Sequence, residues 1–256
     1  MELHDATPRH AVDDRSYFFA GPKFGEAELA WIAADRGLMA ARETGDPVVT
    51  GSLFRSVAHA LLSTGRYGEA RRLTEDTAAY LQPSLGSPSP ELLSVYGTLF
   101  LAGSMAAARA SDATTTRTFL TEADDAARRL GHDANHLWTA FGPTNVAIHR
   151  VATAAELGDV QVAIDLGPRV DTSAMPMERR IRHAIEIARA YSAWNRVDDA
   201  LSTLLDAEQM APEQVQYHML SRQLVLTWIR NQRGRPSQAL IDFARRLNVL
   251  GPAPAP

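Results

Sequence analysis

One short turn pattern recurs along this chain and restricts its fold more than any other feature. It reads small residue, any residue, apolar residue, then an alanine three positions later. Copies run from Gly25 to Ala30, Gly65 to Ala70, Gly158 to Ala163, Asn195 to Ala200 and Gly234 to Ala239, with a degenerate copy near Ser111 and Asp112. The copies stand about 40 residues apart, which is the period of a helical-hairpin array rather than of a sheet protein. The flanks agree. Leu53, Val57 and Leu61 form one apolar helix face, and Ala70, Leu73, Thr77 and Leu81 form another. Gly65 between them suits a helix C-terminus, where a left-handed residue is easiest for glycine. Runs of alternating β-branched residues are nearly missing. The expected fold is all-α, a right-handed superhelical solenoid of helical hairpins. About six units of about 40 residues use up the chain. The expected organisation is a flexible N-terminus over 1–16, one repeat domain over 17–250 and a flexible tail over 251–256.

Composition narrows the function classes. The chain holds 45% hydrophobic residues, enough for a core. It contains no cysteine, which removes disulfides, thiolate metal sites and cysteine nucleophiles. A formal net charge of −4 argues against a nucleic-acid-coating surface. The opening residues MELHDATPRH are polar and carry no apolar signal core, so the expected location is cytoplasmic. The apolar stretch 92–108 is broken by Ser94, Gly97, Thr98, Gly103 and Ser104 and reads as a buried helix.

Two segments match a known repeat closely. In residues 51–84, Phe54, Val57, Ala58 and Leu61 are followed by Gly65, Tyr67, Ala70 and Pro83. In residues 181–211, Ala184, Ile187, Ala188 and Tyr191 are followed by Val197, Ala200, Leu204 and Ala207, with Pro212 next. Both resemble the tetratricopeptide repeat. The strings LWTAFGPTNVAIHRVATAAELGD (137–159), WIAADRGLMAARETGDP (31–47) and HALLSTGRYGEA (59–70) extend the likeness. They resemble the tetratricopeptide-like region of actinobacterial regulators of the Xre helix-turn-helix type. That resemblance implies a sensing or dimerising region beside a DNA reader. No such reader precedes Glu26 in this sequence, so the implied role is a sensor half without direct DNA binding.

The same resemblance implies which residues line a concave groove. In such arrays the first helix of each unit faces inward. Carried over, the inward positions include Arg55, His59, Arg109, Asn145, Arg182, Arg189, Trp228 and Asn231. Arginine forks and asparagine amides suit a carboxylate or phosphate. The stretch 136–150 adds His149 and stays open between a pocket wall and a packed corner. Gly142–Pro143 there should break the helical path, with Thr144 able to cap the next helix.

Other chemistry is thinly signalled. There is no G-x-S-x-G elbow, Walker loop or H-E-x-x-H. His132 and His136 are four apart, but a metal site needs more ligands, and neither a metal nor a cofactor is expected. The small basic clusters Arg179–Arg180–Arg182 and Arg230–Arg233–Arg235 read as ion-paired surface. Leu224, Leu226, Trp228 and Ile229 make the last long helix apolar all round, as in a buried helix or one that meets a second copy. The expected function is therefore non-catalytic. It is a regulatory module that binds a peptide, a small ligand or a protein partner in its groove, in transcriptional regulation, with no membrane involved. The alternatives are a stand-alone interaction scaffold and a helical-repeat enzyme acting on a small molecule.

Overall fold

The structure, a computed structural model, describes residues 45–231 and 234–250. The turn at Gly25 and both expected flexible ends lie outside the described residues. All regular structure within them is helical, apart from an isolated bridge between Ala134 and Phe141. Helix α1 spans Pro47–Ser63, α2 Tyr67–Leu81, α3 Pro90–Arg109 and α4 Ala113–Leu130. Helix α5 spans Pro143–Glu156, α6 Val160–Leu166, α7 Met177–Ala193 and α8 Val197–Met210. Three shorter elements follow: α9 Pro212–Tyr217, α10 Met219–Asn231 and α11 Gln238–Arg246.

The turn signal has one structural meaning. Its small residue is left-handed at Gly65, Ser111, Gly158 and Asn195, with φ of 76°, 60°, 88° and 59°. The next N–H then reaches back five residues to a helix carbonyl. Arg66 donates to Leu61, Asp112 to Ala107, Asp159 to Ala154 and Arg196 to Tyr191, each at 2.9 Å. This closes the helix end by satisfying carbonyls that would otherwise be orphaned. The alanine of the motif is fully buried at Ala70, Ala163 and Ala200. In the degenerate copy Thr116 takes that place, 1% exposed, and its hydroxyl donates to the Asp112 carbonyl at 2.7 Å. The Gly234 copy departs from the pattern. Ala239 is exposed, and Leu240 makes the buried contact behind a Ser237 cap.

Packing follows chain order. Helices pair as α1–α2, α3–α4, α5–α6, α7–α8 and α10–α11, and α1–α3, α3–α5 and α5–α7 also meet. Helix α3 is long and apolar enough to cross a membrane, yet 89% of that window is buried inside the fold. Two large apolar clusters result. One joins Leu81, Phe100, Phe119, Phe141 and Val146, and the other joins Ile181, Leu204, Trp228, Phe243 and Leu247. Val151, Ala163, Ile164 and Ala190 form a smaller cluster between their helices.

Residues 139–142 form a packed corner, while Leu137 and Trp138 before it are exposed. Phe141 is fully buried, and its ring fills the place where a side chain at Gly97 would go; a Cβ there would sit 1.8 Å from the Phe141 Cζ. The cap on α5 differs from the expected Thr144. Asp133 Oδ1, eleven residues upstream, accepts from the Thr144 N–H at 3.0 Å. His132 and His136 do not share a helix face, because the chain between them is a turn and His136 lies beside Glu91. The apolar α10 is covered within the chain by α7, α9 and α11.

Candidate functional site

The first helices of four successive hairpins share one surface. They enclose a cavity of about 80 Å³. His59 and Leu62 come from α1, and Leu101, Ala102, Met105 and Arg109 from α3. Ile148, His149 and Ala152 come from α5, and Arg179, Arg182, His183 and Glu186 from α7. Residues separated by more than a hundred positions therefore meet at one point.

Four of the expected groove residues line this cavity: His59, Arg109, His149 and Arg182. Arg55 stands one turn before His59 on α1, close enough to Arg179 for the two guanidiniums to repel. Asn145 is buried at 1% exposure and lies behind the wall. Its backbone carbonyl accepts from His149 Nδ1 at 2.9 Å. That bond fixes the neutral tautomer and leaves Nε2 as an acceptor. Arg189 also lies behind the wall, held by Glu186 at 3.0 Å and Glu156 at 3.8 Å. Trp228 and Asn231 belong to a different depression, shared with Ser192, Asn195 and Thr227. Trp228 is itself buried and donates from Nε1 to Ser192 Oγ at 2.7 Å.

Sequence reading missed Arg179, His183 and Glu186 as cavity residues. The signal was present. Positions 179, 182, 183 and 186 are spaced three, four and seven apart and form one stripe of an amphipathic helix. Ion pairing accounts for only part of that stripe. Arg182 meets Glu178 at 3.5 Å, whereas Arg179 meets the same carboxylate only at 3.9 Å.

The charges divide into two groups. Arg109 pairs with Glu156 at 3.5 Å and also lies 5.9 Å from the Tyr67 ring centre. With Arg189 and Glu186 they form a cluster of two cations and two carboxylates. Burial pushes the Glu186 carboxyl up, against the pull of Arg189 and with the push of Glu156. The second group is cationic. Arg55, Arg179 and Arg182 surround His59, and Arg179 and Arg182 share Glu178, whose side chain is 65% exposed. Among the described residues the buried Nε atoms of Arg55 and Arg179 have no hydrogen-bond partner. Burial, then mutual repulsion, lowers the pKa of Arg55; burial also lowers that of Arg179.

Burial, reinforced at His59 and His149 by this field, keeps the histidines neutral. Crowding by neighbouring atoms, then Arg55, Arg179 and Arg182, push His59 down to about 4, although its side chain is exposed to solvent. Burial, then Arg179, pushes His149 down to about 3. Burial lowers His183, whose Nε2 donates to the Gly167 carbonyl at 3.0 Å and whose buried Nδ1 has no partner among the described residues. Beyond Arg182 the groove continues into a depression of about 270 Å³ formed with Gln214, Tyr217 and His218. There burial, then Arg182, holds His218 down to about 4. The site thus offers cationic forks, imidazole lone pairs and an apolar wall. No protein-family model matches the chain, and neither does any curated protein.

Proposed function

We propose that this chain is a non-catalytic regulatory module. In this reading its hairpins form a right-handed solenoid of tetratricopeptide type, and a ligand enters the groove lined by the first helices. One observation carries the reading. His59, His149, Arg179 and Arg182 converge from three helices on one cavity with Arg55 beside them, and among the described residues the buried Nε atoms of Arg55 and Arg179 have no hydrogen-bond partner. Burying charge without partners is expensive, and sites built for an anion are where such expense recurs.

A binding role also suits the acid–base state of the cavity. A general base works best with a pKa near the operating pH. His59 and His149 are held at about 4 and about 3, and both remain neutral acceptors at neutral pH. The ligand would act by population shift, favouring one curvature of the array because its contacts span α1, α5 and α7. A place in transcriptional regulation follows from the sequence resemblance alone, with the DNA reader supplied by another part or partner.

Methionine-methyl NMR tests this reading, because Met105 lines the cavity while Met210 and Met219 are exposed elsewhere. A panel of short peptides and small metabolites of both charges is titrated. At least one class should move Met105 and leave Met210 and Met219 unchanged, and Arg182→Ala should abolish that response. A Met105 signal silent to the whole panel overturns the reading. In a mobility-shift assay at low salt the chain should not retain DNA in a sequence-specific way.

A further inference from the structure

We propose that the ligand of this groove is a small phosphate monoester, with its phosphate between Arg55 and Arg179 and a short apolar body on the α3 and α5 wall. The inference rests on the reading of the cavity as a ligand site and adds the chemical class.

Charge sets the head group. Among the described residues Arg55 makes no ion pair, and Arg179 shares one distant, mostly exposed carboxylate with Arg182. Two guanidiniums are therefore left to be neutralised by something else. Their place in the fold sharpens the point. Arg179 is the third residue of α7, beside the positive end of the helix dipole, where a cation is disfavoured. Folding alone gains nothing from a buried arginine there. A tetrahedral head carrying close to two negative charges answers both guanidiniums at once, and each fork can bind two of its oxygens.

The wall sets the body. Leu101, Met105, Ile148 and Ala152 form its apolar part, and Arg109 on the same α3 wall is already paired with Glu156 at 3.5 Å. This disfavours a dicarboxylate, whose far end would lie on that wall, and favours two charges on one atom with a hydrocarbon stub. The 80 Å³ space holds two or three waters at about 30 Å³ each, which admits a short hydrocarbon body and leaves the head group toward Arg55 and Arg179. The acceptors complete the match. His149 Nε2 and the unpartnered His183 Nδ1 can take hydrogen bonds from a hydroxyl of the ligand.

The test uses the described protein with ¹³C-methyl methionine and four probes of equal chain length: butyl phosphate, pentanoate, butylamine and butanol. Inorganic phosphate and a phosphoserine pentapeptide complete the set. Butyl phosphate should shift Met105 with at least tenfold higher affinity than any other probe, and the affinity should fall at high salt. Arg179→Gln and Arg55→Gln should each weaken it at least tenfold. Neither should lower the thermal midpoint of the free protein, because each relieves the repulsion between Arg55 and Arg179. Equal binding of pentanoate, or of inorganic phosphate alone, overturns the proposal, as does unchanged binding in both variants. Selective binding of the phosphopeptide would assign the site to a protein partner and overturn it too. If butanol or butylamine moves Met105 instead, the phosphate fails while the ligand-binding reading stands. Silence of Met105 to every probe here and to the wider panel removes both.

Discussion

A histidine kept neutral below its ordinary pKa is a stability device with a definite sign. The unfolded chain protonates His149 near 6.5, whereas the folded chain resists until about 3. Between those values the unfolded state binds more protons, so stability falls as pH drops from about 6.5. His59 and His218, held at about 4, act in the same direction over the same window. Glu186 opposes them. Its carboxyl is raised, so its contribution is present at low pH and fades as pH rises through the raised value. The other charges facing His149 are Arg179 and Arg182 on α7, with His59 on α1. His149→Gln separates the contributions. The thermal midpoint of the wild type should fall between pH 6.5 and pH 4, and that of the variant should fall less steeply. Parallel curves would show that His149 is not held neutral by its surroundings.

Helix ends show how far local chemistry can be read and where it stops. The N-terminus of α5 is capped by Asp133, which lies in the turn after α4 rather than beside the helix. Asp133→Ala should cost about 1 kcal/mol, the usual value of a lost N-cap, measured by urea unfolding. An unchanged midpoint would show that water replaces the carboxylate. Adjacent positions cannot reveal such a cap, so the sequence pointed instead to Thr144. The turns at Gly65, Gly158 and Asn195 were legible because their chemistry is local: a left-handed residue, a closing hydrogen bond and a buried alanine within six positions. Gly97 was not legible as a notch for Phe141, because the two residues are 44 apart and meet only in the fold. The groove was half legible. His59, Arg109, His149 and Arg182 line the cavity, while Asn145 and Arg189 lie behind its wall. Which side of a short helix faces the cavity depends on crossing angles, and spacing alone does not fix them.

At the scale of the molecule the cavity lies where the two large clusters approach each other. Its walls from α1, α3 and α5 belong to the N-terminal half, and α7 opens the C-terminal half. The helices joining these halves carry the small clusters around Val151 and Ala163 and around Ile148 and Met175. In a repeat array each unit is stabilised by its neighbours alone, so damage at one end should stay there. Phe243 is fully buried in the C-terminal cluster. Phe243→Ala should cost about 3 to 5 kcal/mol of local stability, the usual range for emptying an aromatic core position. Hydrogen exchange should then speed up across α8 to α11 while the amides of α3 and α4 keep their protection. The same variant tests the ligand site, because α7 contributes Arg179 and Arg182 and loosens with its unit. Binding should weaken although no cavity residue has changed, and saturating ligand should restore part of the lost protection, since a ligand touching both halves stabilises the docked state by mass action. Uniform loss of protection from α1 to α11 would instead show that the chain unfolds as one cooperative body, and the solenoid reading would fall with it.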